Sequence, residues 1–504
     1  MLYKLPDDQK EKVIEFLANH SIEHEQKEYF LSYQQNKPDL PPNIDSALVS
    51  LFRGEQPAIA IQKIYDNVAY SYENDRLCDL EIILNSNILN FILPYANFET
   101  EYSVLNRTLR ILNILSFLKQ KPDSSFQNPL FAENMINIIE KSEKTPTIRK
   151  IALKVINRLL IDSVIGDNIF LNFIHFKIPS VILSSNMIEP ATFNELMTKS
   201  KGQYVKVVSQ AAGLLENLAI HCKENHLTIF ASFYNIIIFY LTNDFTRNDF
   251  IKYDQKYKSN VYDKIYLSIS QKYELTQIKF LHLLSLMMIL DSNRKFAYSL
   301  QVPELILNKI VYRKSGSFRQ YSYNIFYEIA AKDGLHPIFQ SISFYNLTMD
   351  AIQNPVSVEV LSSIFKALGA IMPFDYKNLW ENDIISQIYD VLSSEKYIYK
   401  LEAIMVYLKF LEVSSQDSVF CLNVLRSNDI LSLICISIDF FSQDQIMYFI
   451  HVIKCLANER FPDLFSEMLN CQDVYEVFQL LSSNEDENIA RSADEMLNMW
   501  RNTD

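Results

Sequence analysis

Asn382-Asp383-Ile384-Ile385, Asn428-Asp429-Ile430-Leu431 and Gln472-Asp473-Val474-Tyr475 are three copies of one signal: a polar pair, then an apolar anchor that opens a helix. The anchors Ile384, Ile430 and Val474 stand 46 and 44 residues apart. A period of about 40–47 residues with two or three helices per unit marks an α-solenoid. The last copy shows the unit in full. Val474, Val477, Phe478 and Leu481 share one helical face, Ser482-Ser483-Asn484-Glu485-Asp486 is a turn rich in N-cap residues, and a second helix spans about Asn488 to Trp500.

Working outward, the anchors continue at Ile44, Ile88, Met135, Ile178, Phe233, Val302 and His336. The successive spacings over all ten anchors are 44, 47, 43, 55, 69, 34, 48, 46 and 44. Pro179, Pro303 and Pro337 each follow an anchor, where a first helical position loses no hydrogen bond to proline. The predicted fold is all-α: a right-handed α-solenoid, or α-α superhelix, of about ten degenerate repeats.

Two long spacings are insertions, one at 186–203 and one at 243–271, the second rich in Tyr, Lys and Asp. Insertions in a repeat array map to loops on one face. Residues 1–36 fall outside the period. They read as polar amphipathic helices that cap the open end of the core, joined by Pro-rich Lys37–Asn43 to an array spanning 37–504.

Composition agrees. Hydrophobic residues make up 49% of the 504, enough for a continuous core, while 7 Gly and 16 Pro are too few for the turns of a large all-β protein. The net charge of −13 argues against a dedicated nucleic-acid or anionic-membrane binder, which needs a basic footprint. It favours a basic partner instead. Cys78, Cys222, Cys421, Cys435, Cys455 and Cys471 form no CxxC pair and read as reduced core cysteines. No apolar run is long enough to span a bilayer and the N-terminus has no signal-peptide core. The expected location is cytoplasmic, with the nucleus as the alternative.

The longer helices carry a recurring hydrophobic-x-Asn-hydrophobic pattern. It occurs around Asn67, Asn113, Asn157, Asn217 and Asn498, and the fullest copy is Ala211-Ala212-Gly213-Leu214-Leu215-Glu216-Asn217-Leu218-Ala219. This segment resembles the third helix of an armadillo repeat, and Gly334-Leu335-His336-Pro337 resembles the junction before the second. The likeness to the armadillo/HEAT superfamily covers most of 40–500. At the junction position Ser86, Glu133, Asn382, Asn428 and Gln472 replace glycine, so two-helix HEAT-like and three-helix armadillo units stay open. The resemblance implies a concave Asn ladder that hydrogen-bonds an extended peptide. By position it comprises Asn67, Asn113, Asn157, Asn217, Ser285, Lys409, Lys454 and Asn498. Asp45 to Phe98 is faintly similar to the first repeats of importin-alpha. However, no basic importin-beta-binding stretch precedes Ile44, and Trp380 and Trp500 lie outside groove positions.

Catalytic motifs are scarce. The glycines are too scattered for GxGxxG or Walker A loops, and neither HExxH nor GxSxG occurs. His20-Ser21-Ile22-Glu23-His24 matches the H-x-x-E-H zinc-peptidase string, and His221, Cys222 and His226 form a second metal-type grouping. Both read more simply as helix-surface and helix-end residues. The expectation is a binding protein without cofactor, metal, nucleic acid, membrane or small-molecule substrate. It is a scaffold or adaptor holding a partner protein or extended basic peptide. The alternatives are a regulatory subunit of a kinase, phosphatase or transport assembly, a nuclear transport adaptor and, remotely, a zinc metallopeptidase.

Overall fold

The computed structural model describes residues 42–501 except 86–87, 117–125, 127–128, 163–167, 186–202, 244–259, 312, 314, 394–396, 428 and 459. The predicted N-terminal cap with His20, Glu23 and His24, and most of both insertions, lie outside the described residues. The described residues form helices and turns, with no strand among them. Two compact units divide the chain, Met1–Leu283 and Leu284–Asp504.

The first unit opens with α1 (Pro42–Phe52), α2 (Pro57–Glu73), α3 (Leu77–Asn85), α4 (Ile88–Ile92) and α5 (Tyr102–Leu115). It continues through α6 (Pro129–Lys141), α7 (Pro146–Asp162), α8 (Asn168–Ser184), α9 (Gln203–His221), α10 (Tyr234–Thr242) and α11 (Asn260–Met287). The part of the second predicted insertion from Asn260 onward is thus the start of a 28-residue helix. The second unit contains α12 (Asp291–Ser299), α13 (Val302–Leu305), α14 (Gly316–Asp333), α15 (Ile342–Gln353), α16 (Val358–Glu381) and α17 (Ile384–Ser393). After them come α18 (Tyr397–Ser414), α19 (Ser418–Ser427), α20 (Ile430–Cys435), α21 (Gln443–Leu456), α22 (Pro462–Leu469), α23 (Gln472–Leu481) and α24 (Glu487–Arg501).

Within each unit the longer helices stack in a row. In the first, α2 packs on α5, α5 on α7 and α7 on α9. In the second, α14 packs on α16, α16 on α18, α18 on α21 and α21 on α24. Shorter helices form a second layer there, α15 against α17, α17 against α20 and α20 against α23. A helix inside a row must bury both flanks, so its apolar face is wide: α16 buries Val360, Leu361, Ile364, Phe365, Ala367, Leu368, Ile371 and Met372. The terminal α24 buries one stripe, Ile489, Ala493, Met496, Leu497 and Trp500, and exposes Arg491, Asp494 and Glu495.

Nine of the ten anchors are fully buried, at 0% exposure: Ile44, Ile88, Met135, Ile178, Phe233, Val302, Ile384, Ile430 and Val474. His336 is half-buried and accepts a bond from the Ile338 amide at its helix start. The predicted turn before α24 also forms, with Asp486 Oδ1 accepting from the Asn488 amide at 2.8 Å. The helices following α18 come in the groups α19–α20–α21 and α22–α23–α24, each two shorter helices and a longer one.

Three local expectations need correction. Pro303 and Pro337 open helices, but Pro179 lies inside α8, because the chain before its anchor is already helical. The left-handed corner residues are Gln301 (φ 52°) and Asp383 (φ 61°), directly before their anchors, rather than the residue one earlier; Gly334 (φ 79°) does occupy the earlier place. Cys78 is exposed, whereas only Cys421 and Cys435 are buried. The packing also uses a device that periodicity does not signal. Arg149 donates to the carbonyls of Ile139 (2.8 Å) and Glu140 (3.0 Å) at the end of α6. Arg294 does the same to Met288 (2.9 Å) and Ile289 (2.8 Å) after α11. Each buried guanidinium satisfies carbonyls that a helix end leaves without a partner.

Candidate interaction face

Of the predicted ladder residues all but Ser285, which is on α11, sit on the row helices, and several join one helix to another. In the first unit, the Asn217 amide donates to Asn157 Oδ1, linking α9 to α7. Arg158 donates to the Asn113 backbone carbonyl, linking α7 to α5. Asn113 Oδ1 is buried and unbonded. Asn67 turns onto its own helix and donates to the Lys63 carbonyl at 2.8 Å. Lys279 of α11 lies over Gly213 of α9: a Cβ there would stand 2.8 Å from Lys279 Nζ and 3.3 Å from Asn157 Nδ2. That ammonium donates instead to the Ser209 carbonyl at 2.8 Å, and His282 Nδ1 lies 2.7 Å from Glu216 Oε1.

The second unit holds Ser285, buried near the end of α11. Its two ladder lysines are ion-paired: Lys409 with Glu412 at 2.9 Å and Lys454 with Glu495 at 2.7 Å, the latter spanning α21 and α24. Glu412 also accepts from Tyr448 at 2.6 Å. Burial would raise the Glu412 carboxyl, but the Tyr448 and Lys409 hydrogen bonds together hold it below the usual range. Asn498 is exposed and accepts from Arg501 at 3.4 Å.

The two rows differ in charge. Along the second, Lys409 and Lys454 are each paired with a carboxylate and Lys377 of α16 meets Asp417 in the turn after α18 (2.6 Å), while off the row Arg426 of α19 meets Glu467 of α22 (2.9 Å). Along the first, cations face cations. Lys150, half-buried on α7, has its amine pulled below the usual lysine range by burial and then by Lys206 and Arg110. Lys154, one turn on, is lowered by burial and then by Arg158, Lys150 and Lys272. Lys279 is lowered by burial, with Glu216 opposing and Lys272 adding to the effect. The sequence does carry a sign of this cluster, since Lys150, Lys154 and Arg158 recur every four residues and so share one helix face. The whole-chain charge of −13 masks it.

His221 and His226 lie near His175, whose buried ring is held neutral-leaning by burial and then by those two histidines. Burial pushes the Cys222 thiol up to about 11. Among the described residues no three His, Cys, Asp or Glu side chains are placed to hold a metal. No single described helix is long and apolar enough to cross a membrane.

No family model matches the chain, and no curated protein matches it either. Its fold is similar to a crystal structure described as an engineered protein: TM-score 0.61, 12% identity, 92% of this chain and 99% of that chain covered. At that identity the likeness concerns the helical, repeat-like fold alone.

Proposed function

We propose that the chain is a protein-interaction scaffold, a right-handed α-solenoid of armadillo- and HEAT-like units that binds a partner protein along the concave face made by its row helices. The observation that carries this reading is the stacked row in each unit, with polar ladder residues on successive helices. Stacking alternate helices buries a continuous core and leaves a long face free of core duty. In this reading Asn157, Asn217, Lys409 and Lys454 fix the register between helices, and the side chains flanking them meet the partner. A surface of this kind distributes binding over many weak contacts and needs no cofactor.

The test is a footprint. A partner captured from the native source is first shown to bind the purified chain. Amide exchange with and without it then locates the contact. Protection concentrated on α2, α5, α7, α9 and the row helices of the second unit supports the proposal. Protection confined to α6, α8, α15, α17 and α20 overturns it and favours a regulatory subunit docked through its outer layer.

A further inference from the structure

The geometry points to the α5–α7–α9–α11 face of the first unit as a docking surface for an acidic, extended segment of a partner protein, with Lys150, Lys154 and Lys206 meeting its carboxylates. The inference rests on reading the row as an interaction face and names the chemistry of what it holds.

Three observations on separate helices converge. Lys150 and Lys154 stand four residues apart on α7, a spacing that sets the two like charges side by side on one helix face. α5 and α9 both pack on α7 and carry Arg110 and Lys206, whose charges act on Lys150, while the charge of Lys272 on α11 acts on Lys154. All the charged neighbours that act on Lys150 and Lys154 are cations, and among the described residues the face carries one carboxylate in that chain of interactions, Glu216, already bonded to His282. Half-burial of Lys150, Lys154 and Lys206 removes part of the water that would otherwise screen them. An uncompensated cluster of this sort costs folding free energy and becomes favourable once anions arrive.

A peptide fits better than a nucleic acid. The chain's net charge of −13 repels a polyphosphate at long range, and a short acidic segment carries far less charge to repel. Single-stranded nucleic acids also rely on aromatic stacking platforms. Of the exposed aromatic side chains, Tyr70, Phe296 and Phe374 lie on helices outside this face and Tyr102 stands at the first residue of α5, while Tyr273 and Phe280 of α11 are buried. Helices pack about 8–10 Å apart, so four in a row span roughly 30 Å, which about nine extended residues would cover.

The experiment uses the full chain and four fluorescein-labelled or fluorescent probes. These are a Glu/Ser peptide of about a dozen residues, its Lys/Ser counterpart, a single-stranded oligonucleotide of similar length, and vesicles containing phosphatidylserine. Expected are binding of the Glu/Ser peptide alone, about tenfold weakening in K150Q/K154Q, and a steep loss of affinity with salt. K177Q, on exposed Lys177 of α8, leaves binding unchanged. Thermal melts of K150Q/K154Q should match or exceed the wild type, because the substitution removes repulsion, and this separates lost contact from lost fold. A second readout is the titration of ¹³C-methylated Lys150 and Lys154, which shifts upward when the acidic peptide binds. The inference is overturned if the Glu/Ser peptide fails to bind, if K150Q/K154Q binds it as well as wild type, or if the oligonucleotide or vesicles bind more tightly. Failure here with a partner footprint still on the row helices leaves the scaffold reading standing; a footprint elsewhere removes both.

Discussion

Arg294 is the charged side chain whose loss should cost the second unit most. It is 4% exposed and makes five bonds, one of them a long contact to exposed Asp291 Oδ1 at 3.4 Å. Two run to the Met288 and Ile289 carbonyls, and a fork grips Asp333, with Nε 2.7 Å from Oδ2 and Nη2 3.2 Å from Oδ1. Arg294→Ala removes all five, the exposed Asp291 contact contributing little. Each carbonyl left without a partner costs about 1 kcal/mol, the lower end of the range, because helix-end carbonyls are near water. Breaking a buried ion pair costs about 3–5 kcal/mol, but the Asp333 side chain is 29% exposed and solvent can reach it, so its share falls to about 1–2 kcal/mol. The sum is about 3–4 kcal/mol. The assay is denaturant unfolding of the full chain followed by helical circular dichroism, with amide exchange on α11–α14 to locate the change. Asp333→Asn should cost less than Arg294→Ala, since the carbonyl bonds remain. The double variant should show about 1–2 kcal/mol of coupling. A loss below about 0.5 kcal/mol for Arg294→Ala would refute the reasoning, because it would mean that the helix end does not depend on the guanidinium.

Other expectations follow from the same contacts. Burial would raise the Asp333 carboxyl, yet the Arg294 and Tyr298 hydrogen bonds jointly hold it below its usual 3.8. The stabilisation it gives is therefore complete above pH 3.8 and lost as pH falls through its lower native value, so Asp333→Asn should flatten that acid limb in a pH series of melts. Trp500 packs against Tyr475 and Phe478 with ring centroids 5.9 and 5.7 Å away, and Trp500→Ala should cost about 3–5 kcal/mol by chemical denaturation. Gly213→Ala should be near neutral in stability, because about 1 kcal/mol of helix propensity gained offsets about 1 kcal/mol of disturbed Lys279–Ser209 bonding. Gly213→Leu should destabilise clearly in the same melt, since its branches would meet Asn157 as well as Lys279.

What the sequence determined by itself is the all-helical class and most of the residues that enter the core as anchors. The anchors repeat at nearly constant spacing, and a residue that must enter the core at every turn of the array leaves a periodic trace. Nine of those anchors are fully buried, and the α23–turn–α24 unit lies within two residues of its predicted bounds. Local chemistry was legible as well: Asp486 in the turn was readable as a cap, since capping depends on neighbours a few residues away. What only the tertiary structure decided was the partner of each polar group. Asn157 and Asn217 are 60 residues apart and bond each other, Arg294 reaches Asp333 across 39 residues, and Lys409 and Lys454 find carboxylates on their row. The charge of the first unit's face was likewise decided there. Lys150, Lys206 and Arg110 lie on three different helices, and only stacking brings them within reach of one another. Net charge sums over the whole chain, whereas Coulomb's law acts over ångströms, so an acidic protein can present a basic face.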